Sequence, residues 1–152
     1  MNSNLRCDGP HANGHAALRV LVVEDHPDTA KSTAMLLSLY GHEVDIASDG
    51  PTALQAVRTK PPDVVLLDLG LPKMDGWRLA KQLREQSNGK TPFLIAVTGY
   101  GRQIDQNRSH EAGIDLHLVK PVEPDILQRI LLGFQKAVTP SAEKQAESSR
   151  DS

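Results

Sequence analysis

Residues 63–77 of the chain read DVVLLDLGLPKMDGW, and this stretch decides the fold. Its apolar run, Val64 to Leu67, predicts a strand covered on both faces, as in parallel sheets that carry helices on either side. The strand ends abruptly on Asp68, and a turn follows. Asp75 and Gly76 then predict the N-cap and the tight start of a helix. Because chemistry in such sheets collects at the carboxyl ends of the strands, Asp68 is the candidate centre of a functional site.

The composition is that of an ordinary globular domain. A length of 152 residues favours one domain with a real core. The aromatic content of only 3% predicts an aliphatic core, which suits helices packed on a parallel sheet. The formal charge of −2 gives no basic field that would attract nucleic acid or an anionic membrane. We therefore expect neither of these as a partner.

The ends of the chain and its single cysteine bound the location. Cys7 cannot form an internal disulfide, and a reducing compartment is its simplest fit. No apolar run approaches the roughly 20 residues of a membrane span, and the first residues carry no signal segment. We expect a cytoplasmic protein with a mobile leader at 1–16, one domain at 17–138 and a disordered polar tail at 139–152.

Four further strands are predicted around the central one, and each strand is followed by a helix. The alternation favours a parallel sheet with right-handed crossovers and helices on both faces. The second strand is more polar than the others, which places it near an edge of the sheet. The four strands lie at 18–23, 43–47, 92–97 and 116–119. The first helix starts near Pro27 and stops at Gly41, the second has Pro51 in its first turn and stops before Pro61, and the third starts at Gly76. The last two helices lie at about 103–112 and 123–138.

Polar residues with complementary chemistry end four of these strands: Glu24 and Asp25, Asp68, Thr98, and Lys120. Carboxylates held close together repel one another unless a cation joins them, and a divalent, oxygen-preferring ion such as Mg²⁺ or Mn²⁺ suits them. The Thr98 hydroxyl and the Lys120 ammonium could hold phosphoryl oxygens beside such an ion. Asp68 is then the candidate nucleophile, and attack on phosphorus would give an acyl phosphate.

The motifs occur in an order that resembles one known family. They are Glu24-Asp25, LLD at 66–68, LPKMDG at 71–76, Thr98-Gly99 and Lys120-Pro121. Each motif is weak alone, but together the segment from Leu18 to Val138 resembles the receiver domains of response regulators in two-component signalling. The resemblance implies a flavodoxin-like, doubly wound (βα)5 fold with a five-stranded parallel sheet in the order 2-1-3-4-5.

The resemblance also implies roles for the residues at the strand ends. Asp68 would accept a phosphoryl group from a histidine kinase or a histidine phosphotransfer protein, as in a phosphorelay. Asp25, Asp68 and the backbone carbonyl of Gly70 would bind Mg²⁺, and Glu24 would act through water. Lys120 would pair with the phosphoryl group. These roles describe a phosphoacceptor switch with slow self-dephosphorylation, which is not a turnover enzyme.

The switch residues depart from the family's usual pattern. The resemblance implies that Thr98 moves toward the phosphoryl group and lets the side chain three residues before Lys120 change rotamer. That residue is His117, where many receivers have Tyr or Phe. An imidazole changes its charge near pH 6.5, which the usual ring does not. His117 is therefore either a modified switch residue or simply a residue of an amphipathic strand.

Two residues are expected to set the lifetime of the phosphorylated form. Gly70 and Tyr100 stand at positions that border the path of the hydrolytic water in the family. Gly70 has no side chain to orient that water, and Tyr100 is bulky enough to obstruct it. We expect a long-lived phosphorylated form.

Three other functions stay open at this stage. A haloacid-dehalogenase-like phosphatase would need a second Asp where Gly70 stands, and a receiver-like binding module would no longer take phosphate. The chain could also be a phosphorelay receiver cut from a hybrid kinase, although a stand-alone regulator is favoured because both ends look natural. In the receiver interpretation, the resemblance places the output surface on the fourth helix, fifth strand and fifth helix. Phosphorylation would drive binding of a target there or formation of a homodimer.

Overall fold

A computed structural model describes residues 17–71, 75–87, 89–99 and 106–138. The predicted leader, the predicted tail and Tyr100 lie outside these residues. Within the described part of the chain, five strands alternate with five helices. The elements are β1 Arg19–Val23, α1 Pro27–Leu39, β2 Glu43–Ala47, α2 Gly50–Thr59, β3 Val64–Asp68, α3 Gly76–Glu85, β4 Phe93–Thr98, α4 Gln106–Ala112, β5 Leu116–Val119 and α5 Pro124–Val138.

The strands form one parallel sheet in the order β2-β1-β3-β4-β5, which confirms the predicted fold class. β2 and β5 have the predicted bounds, and other predicted boundaries within the described residues differ by a residue or so, as is usual for element ends. The predicted start of the fourth helix, at about 103, lies outside the described residues. β2 lies at an edge, as its polar sequence predicts, and every residue of the central strand β3 is buried.

Each face of the sheet carries its own apolar core, because successive side chains of a strand point to opposite faces. Val65 and Leu67 of β3 lie in the core under α2, α3 and α4. Val64 and Leu66 lie in the core under α1 and α5. This double burial explains why the sequence of β3 is a continuous apolar run.

Local signals in the sequence start and stop the helices. The Asp75 side chain caps α3 by accepting hydrogen bonds from the backbone N–H groups of Trp77 and Arg78. Gly41 and Gly113 follow α1 and α4 with φ angles of 93° and 82°, in the left-handed region that favours glycine. Among the residues that the structure describes, no helix has the length and apolar character needed to cross a membrane.

Candidate functional site

Asp68 is the last residue of β3, and its carboxylate is held from two sides. One oxygen, Oδ1, accepts a hydrogen bond of 2.8 Å from the backbone N–H of Gly70. The other, Oδ2, accepts a hydrogen bond of 2.9 Å from the Lys120 ammonium. Only 6% of the residue is exposed. The central strand and these two bonds therefore fix the carboxylate at the carboxyl edge of the sheet.

Lys120 connects Asp68 to a second buried acid. Its Nζ lies 3.4 Å from Oε1 of Glu24, whose other oxygen accepts a hydrogen bond of 3.1 Å from the N–H of His26. Burial alone would lower the pKa of Lys120, but the hydrogen bond and the negative charge of Asp68, with those of Glu24, raise the pKa above its ordinary value. The ammonium thus stays charged and holds the two carboxylates together.

Three carboxylates lie close enough to share a cation. Glu24, Asp25 and Asp68 each offer one oxygen, and these oxygens lie within 4.8 Å of one another. Burial raises the pKa of Glu24, and the charge of Asp68 raises it further, against the lowering effects of the His26 N–H and Lys120. Carboxylate oxygens are the preferred ligands of hard divalent cations. Three carboxylates against one ammonium leave negative charge in the group, and its oxygen donors fit a divalent metal ion.

Thr98 ends β4 at the same edge of the sheet. It follows Val97, which pairs with Asp68 across β3 and β4. The Thr98 hydroxyl is buried, and its Oγ1 has no hydrogen-bond partner among the described residues. A buried hydroxyl without a partner costs free energy, on the order of 1–3 kcal/mol. This hydroxyl is therefore available as a donor to an oxygen that enters the site.

Gly76 lets α3 start close to the backbone that follows Asp68. A Cβ atom at Gly76 would lie 2.7 Å from Cδ2 and 3.0 Å from Cα of Leu69. Leu69 is itself buried in the core beneath α3. The glycine of the LPKMDG motif therefore lets α3 start against the backbone of Leu69, next to the candidate nucleophile.

His117 does not contact Asp68 or Lys120 through any hydrogen bond of the described residues. Its Nε2 lies 2.8 Å from the hydroxyl of Ser109 in α4, and the same hydroxyl accepts a 3.1 Å hydrogen bond from the indole N–H of Trp77. Sequence analysis did not predict that Trp77 or Ser109 would bond within this group. Ser109 is eight residues from His117 and 32 residues from Trp77, and the three residues lie in different elements, so no periodic pattern within one element could have revealed the contacts.

A cavity of about 630 Å³ opens beside the acidic group. Polar residues of α1, including Asp28, Thr29 and Ser32, and apolar residues such as Leu127 line it. Asp68 is also part of the lining, so the cavity borders the candidate nucleophile.

Of the residues predicted for the site, the structure brings six together at one edge of the sheet: Glu24, Asp25, Asp68, Gly70, Thr98 and Lys120. His117 lies three residues before Lys120, within β5, and contacts Ser109 of α4. Tyr100 is outside the described residues. The roles assigned to these residues remain predictions, and the geometry supplies the distances on which they depend.

Comparison with known proteins gives the family. Residues 20–132 match the model of the response regulator receiver domain. An uncharacterised 14.6 kDa protein of Leptolyngbya boryana is 33% identical over 127 residues, which cover 84% of this chain and 97% of that protein. The sensor histidine kinase RcsC of Salmonella typhimurium is 32% identical over 138 residues, which cover 91% of this chain but only 14% of the kinase.

Solved structures agree with this match. The receiver domain of the sensor histidine kinase PA1611 from Pseudomonas aeruginosa, solved with a magnesium ion in its active site cleft, is 31% identical. It superposes with a TM-score of 0.69 over 80% of this chain and 99% of that domain. The chain belongs to the response-regulator receiver family. This assignment favours the receiver over the phosphatase alternative.

Proposed function

We propose that the chain is a phosphoacceptor switch in which Asp68 takes a phosphoryl group from a histidine kinase or a histidine phosphotransfer protein. The arrangement around Asp68 carries the proposal. One carboxylate oxygen is fixed by the Gly70 N–H, and the other is neutralised by Lys120 at 2.9 Å. An oriented nucleophile beside a fixed cation is what phosphoryl transfer requires, because catalysis there is mostly positioning and charge stabilisation.

The chemical step is a displacement at phosphorus. A carboxylate oxygen of Asp68 attacks, the P–N bond of the donor's phosphohistidine breaks, and its electron pair stays on the imidazole nitrogen. The product on this chain is an acyl phosphate. Lys120 then pairs with a phosphoryl oxygen, and the Thr98 hydroxyl donates to another. This last contact would satisfy the hydroxyl that has no partner among the described residues.

The proposal includes Mg²⁺, or Mn²⁺ in its place. Asp25, Asp68 and the backbone carbonyl of Gly70 would hold the ion, and Glu24 would act through water. When bound, the ion supplies positive charge to the phosphoryl oxygens. The three carboxylate oxygens within 4.8 Å support this assignment. So does the similar domain of PA1611, whose structure has magnesium in the active site cleft.

The phosphorylated form should be long-lived, and the chain should act as a switch rather than as a turnover enzyme. Gly70 is exposed and has no side chain with which to orient a hydrolytic water. Tyr100 would add an obstruction. The measurement is the loss of phosphate from purified phosphorylated protein in Mg²⁺. Decay within seconds would contradict this part of the proposal.

The phosphoryl donor and the output partner would bind at different places on the domain. The cavity that borders Asp68 has room for the donor's imidazole ring. The output surface would lie on α4, β5 and α5, where Val119 and Ile126 expose large apolar side chains. Binding there would engage a downstream protein or a second copy of the chain. The proposal keeps the cytoplasmic location expected from the sequence.

The proposal favours a single-domain regulator. The similarity to nearly the whole length of the 14.6 kDa cyanobacterial protein supports it. The match to 14% of RcsC supports the alternative, a receiver of a hybrid kinase. Phosphotransfer profiling distinguishes a single-domain regulator from the receiver of a hybrid kinase. The hybrid's receiver should accept phosphate preferentially from the kinase to which it is attached, or from the phosphotransfer partner of that kinase.

The test is phosphotransfer from a panel of labelled histidine kinases and phosphotransfer proteins, with Asp68→Asn as the control. We expect label to move from at least one donor to the wild-type chain and from none to the variant. Transfer to neither protein would contradict the proposal. A phosphatase would instead release phosphate from a generic ester over many turnovers, and we expect no such turnover.

A further inference from the structure

Ser109 lies between two polar side chains from other elements. Its hydroxyl oxygen is 3.1 Å from Nε1 of Trp77 in α3 and 2.8 Å from Nε2 of His117 in β5. Ser109 is 3% exposed, and the other two residues are half-buried. Two hydrogen bonds thus join the three side chains and connect α3, α4 and β5.

The chemistry of the three side chains determines which group donates and which accepts in each hydrogen bond. An indole N–H is only a donor, so the Ser109 oxygen accepts from Trp77. The Ser109 hydroxyl hydrogen is then free to donate to Nε2 of a neutral His117 ring. Burial lowers the pKa of His117, in agreement with a neutral ring at pH 7. A Phe or Tyr ring, as in many relatives, has no ring nitrogen to accept this bond.

The described part of α4 is short. It has seven residues, and a helix of that length is not stable without tertiary contacts. A second contact supports the same arrangement: Arg108 lies 4.4 Å above the Trp77 ring and forms an ion pair of 2.6 Å with Asp75. Two neighbouring residues of α4 therefore contact Trp77: Arg108 lies over the ring, and Ser109 accepts a hydrogen bond from its N–H.

The chain of bonds lies next to the candidate phosphoacceptor site. Alternation along the strands places His117 on the same face as Ala96, its partner in β4, and therefore on the face of Thr98. From the usual strand spacing and rise, the two Cα atoms are separated by roughly 8 Å. A shift of Thr98 toward Asp68 would thus change the space beside the His117 ring.

We propose that Trp77, Ser109 and His117 form a latch that holds α4 in place while Asp68 is unmodified and opens when Asp68 is phosphorylated. The opening of the latch rests on the proposed function, because Thr98 would move when a phosphoryl oxygen on Asp68 accepts a hydrogen bond from its hydroxyl. As Thr98 moves, the His117 ring turns into the vacated space and leaves Ser109. Breaking the bond releases α4, which belongs to the proposed output surface.

Trp77 is the only tryptophan of the chain, so tryptophan emission comes from one residue of the latch. The experiment compares the wild type with Ser109→Ala, and uses Asn107→Ala, an exposed position of the same helix, as the matched control. Emission is recorded before and after loading with a small acyl phosphate and Mg²⁺. Intact mass is measured on the same samples to count phosphoryl groups.

We expect loading to shift the wild-type emission toward that of unloaded Ser109→Ala, whose latch is already open. Loading should change the emission of Ser109→Ala very little, while Asn107→Ala should behave as the wild type. Because one hydrogen bond favours the closed state, Ser109→Ala should also take up phosphate roughly five-fold faster. His117→Phe breaks the latch from the β5 side and should give a similar gain in rate, which keeps the test valid if Ser109→Ala folds poorly.

The results separate the latch from the phosphoacceptor role. A wild-type protein that gains a phosphoryl group without any change in Trp77 emission would overturn the latch and leave the proposed function standing. Wild-type uptake rates in both Ser109→Ala and His117→Phe would also overturn it. No gain in mass would overturn the proposed function and, with it, the claim that phosphorylation opens the latch. The claim that the latch holds α4 in the unmodified protein is then tested with unloaded Ser109→Ala, and an emission equal to that of the unloaded wild type would overturn it.

Discussion

Replacing Gly76 by alanine should destabilise the protein and disturb the site at once. The added Cβ would lie 3.0 Å from Cα and 3.2 Å from the carbonyl oxygen of Leu69, and these backbone atoms cannot rotate away. Carbon atoms prefer separations of about 3.5–4.0 Å, so the loop or the helix must shift by a few tenths of an ångström or more. Because Leu69 directly follows Asp68, the shift moves the backbone of the candidate nucleophile.

The magnitude follows from overpacking. Forcing extra atoms into a packed site costs about 1–3 kcal/mol, and the general preference of helices for alanine over glycine returns about 0.5–1 kcal/mol. The middle of the two ranges gives a fall of about 1 kcal/mol in the free energy of unfolding for Gly76→Ala, and their extremes a fall of at most about 2.5 kcal/mol. For a chain of this size each kcal/mol corresponds to roughly 2–4 °C, so Tm should fall by about 2–4 °C and by no more than about 10 °C.

Gly133→Ala is the matched control. Gly133 lies in α5, is exposed, and has no atom within 4 Å of its added Cβ outside its own helix and chain neighbours, so alanine should stabilise the protein by about 0.5–1 kcal/mol. Thermal and urea unfolding measure both variants, and the rate of phosphoryl uptake reports the site. If Gly76→Ala were as stable as Gly133→Ala and took up phosphate at the wild-type rate, the close approach of α3 to Leu69 would not constrain the site.

Two further predictions concern the metal and His117. Saturating Mg²⁺ at about 100 times its Kd should add about 2.7 kcal/mol of stability and raise Tm by about 5–10 °C; Asp25→Asn should lose most of this gain at the same Mg²⁺ concentration, and an equal gain in both proteins would contradict the predicted metal site. Burial lowers the pKa of His117 in the folded protein below its ordinary value of 6.5, so on acidification the unfolded chain takes up a proton at His117 before the folded chain does. The free energy of unfolding should therefore fall as the pH drops from about 6.5 through the folded-state pKa. Urea midpoints at several pH values should show a smaller fall in His117→Phe, and identical profiles would contradict the shift.

The regular part of the fold follows from local patterns. The apolar run at Val64–Leu67 predicted a central buried strand, and the polar sequence of Glu43–Ala47 predicted an edge strand. Both were confirmed, because burial on one or two faces leaves a direct mark on strand composition. The strand order came from the family resemblance, since alternation of strands and helices fixes a parallel sheet without fixing the order of its strands.

The site was predictable to the extent that it sits at strand ends. Glu24, Asp68 and Lys120 were grouped correctly because parallel strands bring their carboxyl ends to one edge. The contact of His117 with Ser109 was not predictable, since it depends on how α4 packs against the sheet. Residues that meet only through tertiary packing leave no periodic signal in the sequence, and a serine on a polar helix is usually exposed.

The central claim is that Asp68 itself carries the phosphoryl group. The most direct measurement treats the purified chain with a small acyl phosphate and Mg²⁺, and follows the intact mass and the mass of the peptide that contains Asp68. We predict an increase of one phosphoryl group in the wild type, located on that peptide, and none in Asp68→Asn. An equal increase in Asp68→Asn, or none in the wild type, would contradict the account.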